Sequence, residues 1–205
     1  MAPVWLDRMV QALRRTGPQA PQTVDSPLPM PDLWTPRLRL RPFRDGDAPG
    51  IYSYASDAQT ARYMVWGRHR SLADSEASLE YFKGSYRRGD DQPIAIVRRK
   101  DGQIIGCTGF QYPLRRSPWA AWILRSDSWG QGLASEAMSS LLAWGWKVHP
   151  RWIQVEAPIH PKNTGSIYLA KKLGFVEVPC DLKFKMTNLG GRMHKSTNWV
   201  LKRPA

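Results

Sequence analysis

Two glycines, Gly130 and Gly132, stand where a short apolar strand turns into a long amphipathic helix. The strand is predicted over 119–125, and the helix runs from Gly132 to about Trp146 with its apolar residues on one face. Glycine lets a backbone bend tightly, so the turn can bring successive N–H groups onto one point. These N–H groups lie beside the unpaired amides of the helix N-terminus, where the helix dipole adds positive potential. The segment therefore predicts a binding site for a pyrophosphate.

The chain can form one sizeable core, because it has 205 residues, of which 42% are hydrophobic. Its net charge of +13 favours anionic partners such as nucleic acid, ribosomes, acidic proteins and phosphorylated cofactors. Cys107 and Cys180 are far apart and predict free thiols, and the four histidines fit no metal-binding spacing. No segment has the apolar length of a membrane span or the pattern of a signal peptide. We therefore expect a cytoplasmic protein with no integral membrane part and no metal site.

The chain is expected to consist of an N-terminal extension and one main domain. Residues 1–31 predict an amphipathic helix, with Trp5, Met9 and Leu13 on one face, followed by a proline-rich linker. Prolines hold a linker extended without packed structure. The helix favours docking on the core or on a second copy, and the alternative is a basic segment for a membrane or another partner. Residues 32–205 form the main domain.

The sequence pattern of the main domain predicts an α/β (α+β) fold with a mixed, mostly antiparallel sheet. Its order is a strand, two helices, three antiparallel strands, a helix, a strand, a helix and two closing strands. Gly130-x-Gly132-x-x-Ser135 and the acidic Glu156 nearly match a dinucleotide-binding fingerprint, but that fold needs more parallel strands than this order allows. The predicted strands after the first, near Leu38, are 93–99, 103–110, 119–125, 152–157, 175–179 and 196–202.

Three sequence motifs resemble those of the GNAT N-acetyltransferase superfamily. The run Trp129-Gly-Gln-Gly-Leu-Ala-Ser-Glu-Ala137 resembles its acetyl-CoA pyrophosphate loop, and Asn163-Thr-Gly-Ser166 with Lys172-Leu-Gly-Phe175 resembles its second signature. The opening Thr35-Pro-Arg-Leu-Arg-Leu-Arg-Pro42 resembles the RimJ/RimL branch, which acetylates ribosomal-protein N-termini. The resemblance covers roughly 34–202. It implies a GNAT fold with about seven strands and about four helices, splayed between the fourth and fifth strands.

The resemblance also implies that acetyl-CoA binds along the glycine loop and the strand before it. Trp129 takes the place of the family's usual Arg or Gln, which removes one side-chain contact to phosphate. The main chain of the strand before the loop is expected to pair with the pantetheine arm like an added strand. The expected cofactor-binding residues are Trp122, Ile123, Leu124, Trp129, Gly130, Gln131, Gly132, Leu133, Ala134, Ser135, Asn163 and Ser166.

Acetyl transfer needs an unprotonated amine and a proton for the departing thiolate. Many members of the superfamily take that proton from a Tyr seven residues after the Asn, and here that position is Ala170. Ser166 matches the serine of the RimJ/RimL branch and is the candidate acid, with Tyr168 as the alternative. A role for Ser166 restricted to shaping the cofactor arm stays open. Glu156 is the candidate base, with His160 or water as alternatives and a structural role equally open.

Two functions are therefore carried forward. The first is transfer of acetyl from acetyl-CoA to a protein N-terminal amine or a small-molecule amine, by direct attack in a ternary complex. The alternative is a basic RNA- or ribosome-binding module that keeps the fold without the chemistry. Either function is compatible with ribosome association, and a monomer or homodimer is expected.

The acceptor groove of the family lies between the first two helices and the closing strands, and in this chain those segments are rich in cations. A basic entrance favours acidic acceptors over polyamines and aminoglycosides, with a rate that falls as salt rises. The residues expected there are Arg62, Arg68, His69, Arg70, Arg87, Arg88, Lys183, Lys185, Arg192 and Lys195.

Overall fold

The structure is a computed structural model that describes residues 30–88, 91–112 and 117–204. The helix and nearly all of the linker predicted for 1–31 lie outside these residues. In the described part of the chain, no helix has the length and apolar character that a membrane crossing requires.

The described residues form ten strands and five α-helices. The strands are β1 (Leu33–Trp34), β2 (Leu38–Pro42), β3 (Asp91–Arg98), β4 (Ile104–Gln111), β5 (Trp119–Leu124), β6 (Gln154–Ile159), β7 (Val176–Val178), β8 (Lys183–Met186), β9 (Arg192–Lys195) and β10 (Thr197–Lys202). The helices are α1 (Ala48–Ala55), α2 (Ala58–Ala61), α3 (Leu72–Arg88), α4 (Leu133–Val148) and α5 (Thr164–Lys172).

Eight of the strands form one sheet in the order β1-β2-β3-β4-β5-β6-β10-β7. Neighbours are antiparallel except β5 and β6, which are parallel and pair only at Trp119 and Glu156. Beyond that position the two strands diverge and leave a gap. The predicted mostly antiparallel sheet, splayed between the 119–125 and 152–157 strands, is confirmed. The prediction of about seven strands and four helices omitted short β1, short α2 and the separate β8–β9 pair.

The strand predicted at 152–157 extends to Ile159, past Pro158, because the nitrogen of this proline faces the gap and not a paired strand. The N–H of Glu156 donates to the Pro118 carbonyl on the β5 side. Alternate residues of a strand point their backbone groups the same way, so the nitrogen of Pro158 also faces β5, beyond the point of divergence. Proline lacks an N–H, and here no ladder bond is lost by its absence.

Apolar side chains cover both faces of the sheet. On the α4–α5 face, Met138 and Leu169 of the helices pack with the buried residues of β6. On the opposite α1–α3 face, Ile51 and Leu79 pack against the other side of β3 and β4. Because Val155, Ala157 and Ile159 belong to the first cluster, Glu156, Pro158 and His160 project by alternation to the α1–α3 side.

A separate hairpin of β8 and β9 lies against the segment between α2 and α3. Asn188, at its turn, donates to the carbonyls of Ala61 and Trp66 at 2.7 and 2.8 Å and accepts from the Arg68 N–H at 2.9 Å. Thr187 donates to the Val65 carbonyl at 3.1 Å. The hairpin is thereby fixed across the α1–α3 side of the gap.

Candidate active site

The backbone between β5 and α4 turns at two glycines in the left-handed region. Gly130 has φ +72° and Gly132 has φ +74°, and Gly132 is the N-cap of the 16-residue helix α4. The first helical hydrogen bond runs from the Glu136 N–H to the Gly132 carbonyl. Within the described residues, no protein acceptor pairs with the N–H groups of 130–135. These amides form an anion-binding array at the positive end of the helix.

An ion pair from the start of β2 holds the glycine loop in shape. Arg37 Nε lies 2.6 Å from Glu136 Oε2, and Arg37 Nη1 donates to the Gln131 carbonyl at 2.9 Å. Thr35 Oγ1 donates to Glu136 Oε1 at 2.6 Å. Burial raises the pKa of Glu136, but hydrogen bonds from Thr35 and Arg37 outweigh it and keep the pKa below its ordinary value. With its carbonyl tied to Arg37, the loop keeps its amides free for a ligand.

Positive side chains surround a second cavity beside the loop. Arg37, Arg98, Arg99 and Lys100 line it together with Gln131. Arg99 is held in place by donation to the Thr35 and Pro36 carbonyls at 2.8 and 3.0 Å. Arg37 is paired with Glu136 and Arg98 with Asp101, so Arg99 and Lys100 supply the net positive charge beside the loop, which favours an anion with more than one phosphate group.

β5 turns alternate backbone groups toward the gap. The Arg125 N–H donates to the Ile105 carbonyl at 2.8 Å, which makes these two opposed residues a hydrogen-bonded pair. In an antiparallel ladder such pairs alternate, so Ile123 is paired to β4, while Trp122 and Leu124 point their backbone groups into the gap. Of the three residues expected to pair with pantetheine, two therefore have the required direction, and Ile123 presents only its side chain.

Trp129 is half-exposed, and its indole is tied back to the end of β5. Its Nε1 donates to the Leu124 carbonyl at 2.7 Å. The indole that stands in the family's Arg or Gln position thus fixes the strand-to-loop turn. With its N–H engaged in this bond, the indole offers no side-chain donor to a ligand at the loop.

The gap opens into a cavity of about 240 Å³ on the α1–α3 face, which we call the chamber. The lining drawn from the described residues contains no Lys or Arg and one carboxylate, Asp91. Asp91 accepts a hydrogen bond from Tyr81 Oη at 2.8 Å. Aromatic rings dominate the walls, and they include Tyr63, Trp66, Tyr81, Phe82, Trp119 and Phe184.

Two expected site residues meet at the first turn of α5. Asn163 caps the helix by accepting from the Ser166 N–H at 3.3 Å, and both residues line the chamber. Ser166 Oγ accepts from the indole N–H of Trp122 at 3.2 Å. Because this bond uses a lone pair, the Ser166 hydroxyl hydrogen stays available as a donor.

His160 lines the chamber as a neutral ring whose lone pair is engaged. Its Nδ1 accepts from the Lys162 N–H at 3.1 Å, so the ring hydrogen is assigned to Nε2, which lies 3.3 Å from His194 Nδ1. The ring also stacks on Tyr63 at 4.9 Å between centroids. Desolvation, with the charges of His194 and Lys162, lowers the pKa of His160. The ring is therefore a donor in this arrangement and a poor acceptor for another proton.

Glu156 lies outside the chamber lining, beside Trp119, where β5 and β6 pair. Its oxygens accept from Gln154 Nε2 at 2.9 Å and Asn198 Nδ2 at 3.0 Å. Tyr168, the alternative acid, is 69% exposed and is not part of the lining. Glu156 can reach the chamber only through a bridging group such as water.

The cations expected at a basic entrance are distributed outside the chamber. Of the ten residues named for it, only His69 belongs to the lining. On the hairpin, Lys183 opposes Lys195 on the face away from the one that carries Phe184. Positive charge thus lies on the exterior, and the interior is apolar.

Sequence reasoning missed the hairpin and the role of Arg37. Lysine alternates with Phe184 and Met186 ahead of a Gly190-Gly191 turn, which is a local hairpin signal that the charge of the segment obscures. Arg37 was noted as part of a motif, but its contact with a loop about a hundred residues later has no local signal.

Residues 37–176 match the family model described as an acetyltransferase (GNAT) domain. An uncharacterized N-acetyltransferase, p20 of Bacillus licheniformis, is 28% identical over 148 residues, covering 71% of this chain and 83% of that protein. Mycobacterium smegmatis RimJ, solved in complex with CoA-disulfide, has a TM-score of 0.69 and 18% identity, covering 80% of this chain and 81% of its own. Spermidine N-acetyltransferase from Vibrio cholerae, solved with CoA and spermine, has a TM-score of 0.65 and 18% identity, covering 80% and 95%.

Proposed function

Because the chain belongs to the acetyltransferase (GNAT) domain family and is thus an acetyl-CoA-dependent N-acetyltransferase, we propose that it acetylates a primary amine by direct attack in a ternary complex. The observation that carries the proposal is that three features follow one another along β5: the open amides of 130–135 after its end, the β5–β6 gap beside it, and the chamber that Trp122 and Ile123 help to line. Acetyl-CoA supplies an activated thioester, and the chamber supplies the space in which an amine can approach it.

The residues along this path fit the cofactor. The amides of 130–135 suit its pyrophosphate, and the cations around Arg99 suit a further phosphate. The backbone N–H and carbonyl of Trp122 and the N–H of Leu124 suit the amides of pantetheine. The arm would then pair with β5 in the way an added strand does. Asn163, at the end of the gap, is assigned to the same arm.

Direct attack is favoured over an acetylated enzyme intermediate. Cys107 is the single cysteine in the described lining of the chamber. Desolvation raises the pKa of its thiol to about 12, so at neutral pH it is not the thiolate that a nucleophilic mechanism requires. The amine itself is then the nucleophile.

Ser166 is assigned to the departing thiolate as proton donor. Its hydroxyl oxygen accepts from Trp122, which leaves its hydrogen to be directed into the gap. Tyr168 points to solvent and is not assigned a role.

Glu156 is assigned as the base that removes the amine proton, acting through water. Each carboxylate oxygen accepts one amide hydrogen bond and keeps acceptor capacity. His160 is the weaker candidate because its lone pair is covered by the Lys162 N–H.

A pH–rate series with two variants tests these roles. We expect Glu156→Gln to lower kcat while leaving the KM for acetyl-CoA similar, with a loss that shrinks as pH rises and free amine becomes abundant. Ser166→Ala should slow thiol release by about tenfold to a thousandfold. A mutant-to-wild-type ratio that is flat across pH would contradict the base role, and near-normal thiol release would remove the acid role.

Matched controls come from the same elements. Thr164 is exposed on the first turn of α5, and Glu177 is exposed on β7. Thr164→Ala and Glu177→Gln should keep wild-type kinetics. Calorimetric CoA binding by every variant shows whether the cofactor site is intact.

A further inference from the structure

The chamber beyond the gap is walled by rings from several separate parts of the chain, among them the segment before α3, α3 itself, β5 with Trp119, and β8 with Phe184. We propose that it binds the acceptor of acetyl transfer, and that this acceptor is a small primary amine carrying a planar apolar group, such as an arylalkylamine. The proposal rests on the acetyl transfer proposed above, and a binding measurement separates the two.

The aromatic walls are preformed. Trp119 and Phe184 meet edge to face, with centroids 5.8 Å apart and ring planes at 82°. Tyr63 stacks on His160 at 4.9 Å, and Trp66 lies 5.5 Å from His69. Rings held by other rings lose little freedom when a further planar group packs among them. The walls are therefore complementary to a flat apolar guest.

The hairpin keeps one wall in place. Phe184 and Met186 line the chamber from β8, and the turn after β8 is tied to the α2–α3 segment through Asn188. That segment carries Tyr63 and Trp66, so the bonds of Asn188 tie the hairpin to the part of the chain that supplies two further rings.

The charge inside the chamber selects against ionic acceptors. No described lining residue is a Lys or Arg that would pair with an anionic group, and Asp91 is engaged by Tyr81. An ammonium entering such apolar surroundings loses hydration, which favours its neutral form. The neutral amine is also the form that attacks a thioester. The described lining offers a polycation one carboxylate, Asp91, so its further charges would have no partner there.

The volume limits the size of the guest. A cavity of about 240 Å³ is below the range of about 300–1,000 Å³ typical of sites for drug-sized ligands. Part of it is adjacent to Ser166 and Asn163, where the acetyl arm enters. A guest of one ring with a short aminoalkyl chain is in keeping with a volume below that range.

Binding and turnover are measured with the full chain loaded with CoA or supplied with acetyl-CoA. The probes are phenethylamine, ethanolamine, spermidine and a short acidic peptide with a free N-terminus. Calorimetry on the CoA-loaded protein should give phenethylamine at least about tenfold tighter binding than the other three, with little salt dependence. Thiol release with acetyl-CoA should follow the same order in kcat/KM.

A pair of hairpin variants assigns the binding to the chamber. Phe184→Ala removes a ring from the wall, and Met193→Ala removes a side chain of comparable size that is 57% exposed on the other face of the hairpin. We expect Phe184→Ala to weaken phenethylamine binding by about tenfold with unchanged CoA affinity, and Met193→Ala to match the wild type.

Each outcome decides between the proposals. Stronger binding of spermidine or the acidic peptide, equal binding of all probes, or no difference between the two variants overturns the apolar acceptor. Tight phenethylamine binding without thiol release leaves the chamber assignment standing and overturns the proposed transfer to this acceptor class.

Discussion

Replacing Gly132 should weaken cofactor binding while the protein stays folded, because its backbone is left-handed (φ +74°). A Cβ at this position would meet nothing closer than Arg37 Nη2 at 3.7 Å, so a substitution causes no clash inside the protein. The cost lies in the backbone: about 1–2 kcal/mol for an ordinary residue in this region, and more for a β-branched one. The loop can relieve this cost by rotating, which turns its amides away from their common point.

The expected effect on affinity follows from the lost hydrogen bonds. An amide bond to a charged phosphate contributes about 1.5–3 kcal/mol, and about 1.4 kcal/mol corresponds to a tenfold change in affinity. Loss of one such bond predicts CoA binding at least about tenfold weaker for Gly132→Val. Gly132→Ala, which lacks the branched carbon, should lose less.

Calorimetry with CoA and thermal unfolding measure the two consequences separately. Gly46 provides the control, since it has φ +87° in the turn before α1 and no atom within 4 Å of a Cβ built there. Gly46→Val should lower stability comparably and leave CoA affinity unchanged. Unchanged affinity in Gly132→Val, or an equal loss in Gly46→Val, would refute the assignment of the amide array.

Three further predictions concern the glycine loop, a buried histidine and the thiol in the chamber. Arg37→Ala should weaken CoA binding by about tenfold, because the Gln131 carbonyl loses its partner, whereas Arg37→Lys should restore part of the affinity in the same calorimetric assay. Burial lowers the pKa of His149, because it disfavours the charged ring. The stability that the neutral ring contributes is therefore complete above the unfolded pKa of about 6.5, and it is lost as the pH falls through the lower pKa of the folded state. His149→Phe keeps the stacking on the neighbouring indole and should lose fewer degrees of melting temperature than the wild type between neutral pH and about pH 5; an equal loss would contradict this account. Cys107→Ala should retain thiol release within about threefold of wild type if attack is direct, and abolished turnover with intact CoA binding would indicate an acetylated intermediate.

The features that the sequence predicted are those with a local physical signature. Gly130 and Gly132 adopt the left-handed backbone that makes glycine necessary, and the apolar stripe of α4 is buried where its period places it. The first turn of α5 likewise follows its sequence, with Asn163 as an N-cap three residues before Ser166. In each case the residues that decide the conformation lie within one or two turns of each other.

The features that the sequence did not predict depend on contacts between distant segments. Pro158 is a strand breaker by local reasoning, and only the divergence of β5 from β6 makes its missing N–H harmless. The chamber arises because a hairpin late in the chain lies against the α2–α3 segment, bonded through Asn188. Periodicity indicates which residues share a face of one element, and it does not indicate which element will cover that face.

The net charge of +13 illustrates the same limit, since its location decides its function. From composition alone, the excess favours an anionic acceptor, but the described lining of the chamber has no Lys or Arg, while four cations gather beside the glycine loop. On this arrangement the positive charge attracts the cofactor phosphates, and its effect is screened over about 8 Å at physiological ionic strength. Raising salt to about 0.5 M should therefore increase the KM for acetyl-CoA several-fold and leave the KM for an apolar amine nearly constant. Steady-state kinetics with each substrate varied in turn measure both constants. Lys100→Ala should reduce the effect of salt on the KM for acetyl-CoA, because it removes one of the four cations. A salt effect found only in the KM for the amine would instead place the relevant charge at the entrance of the chamber.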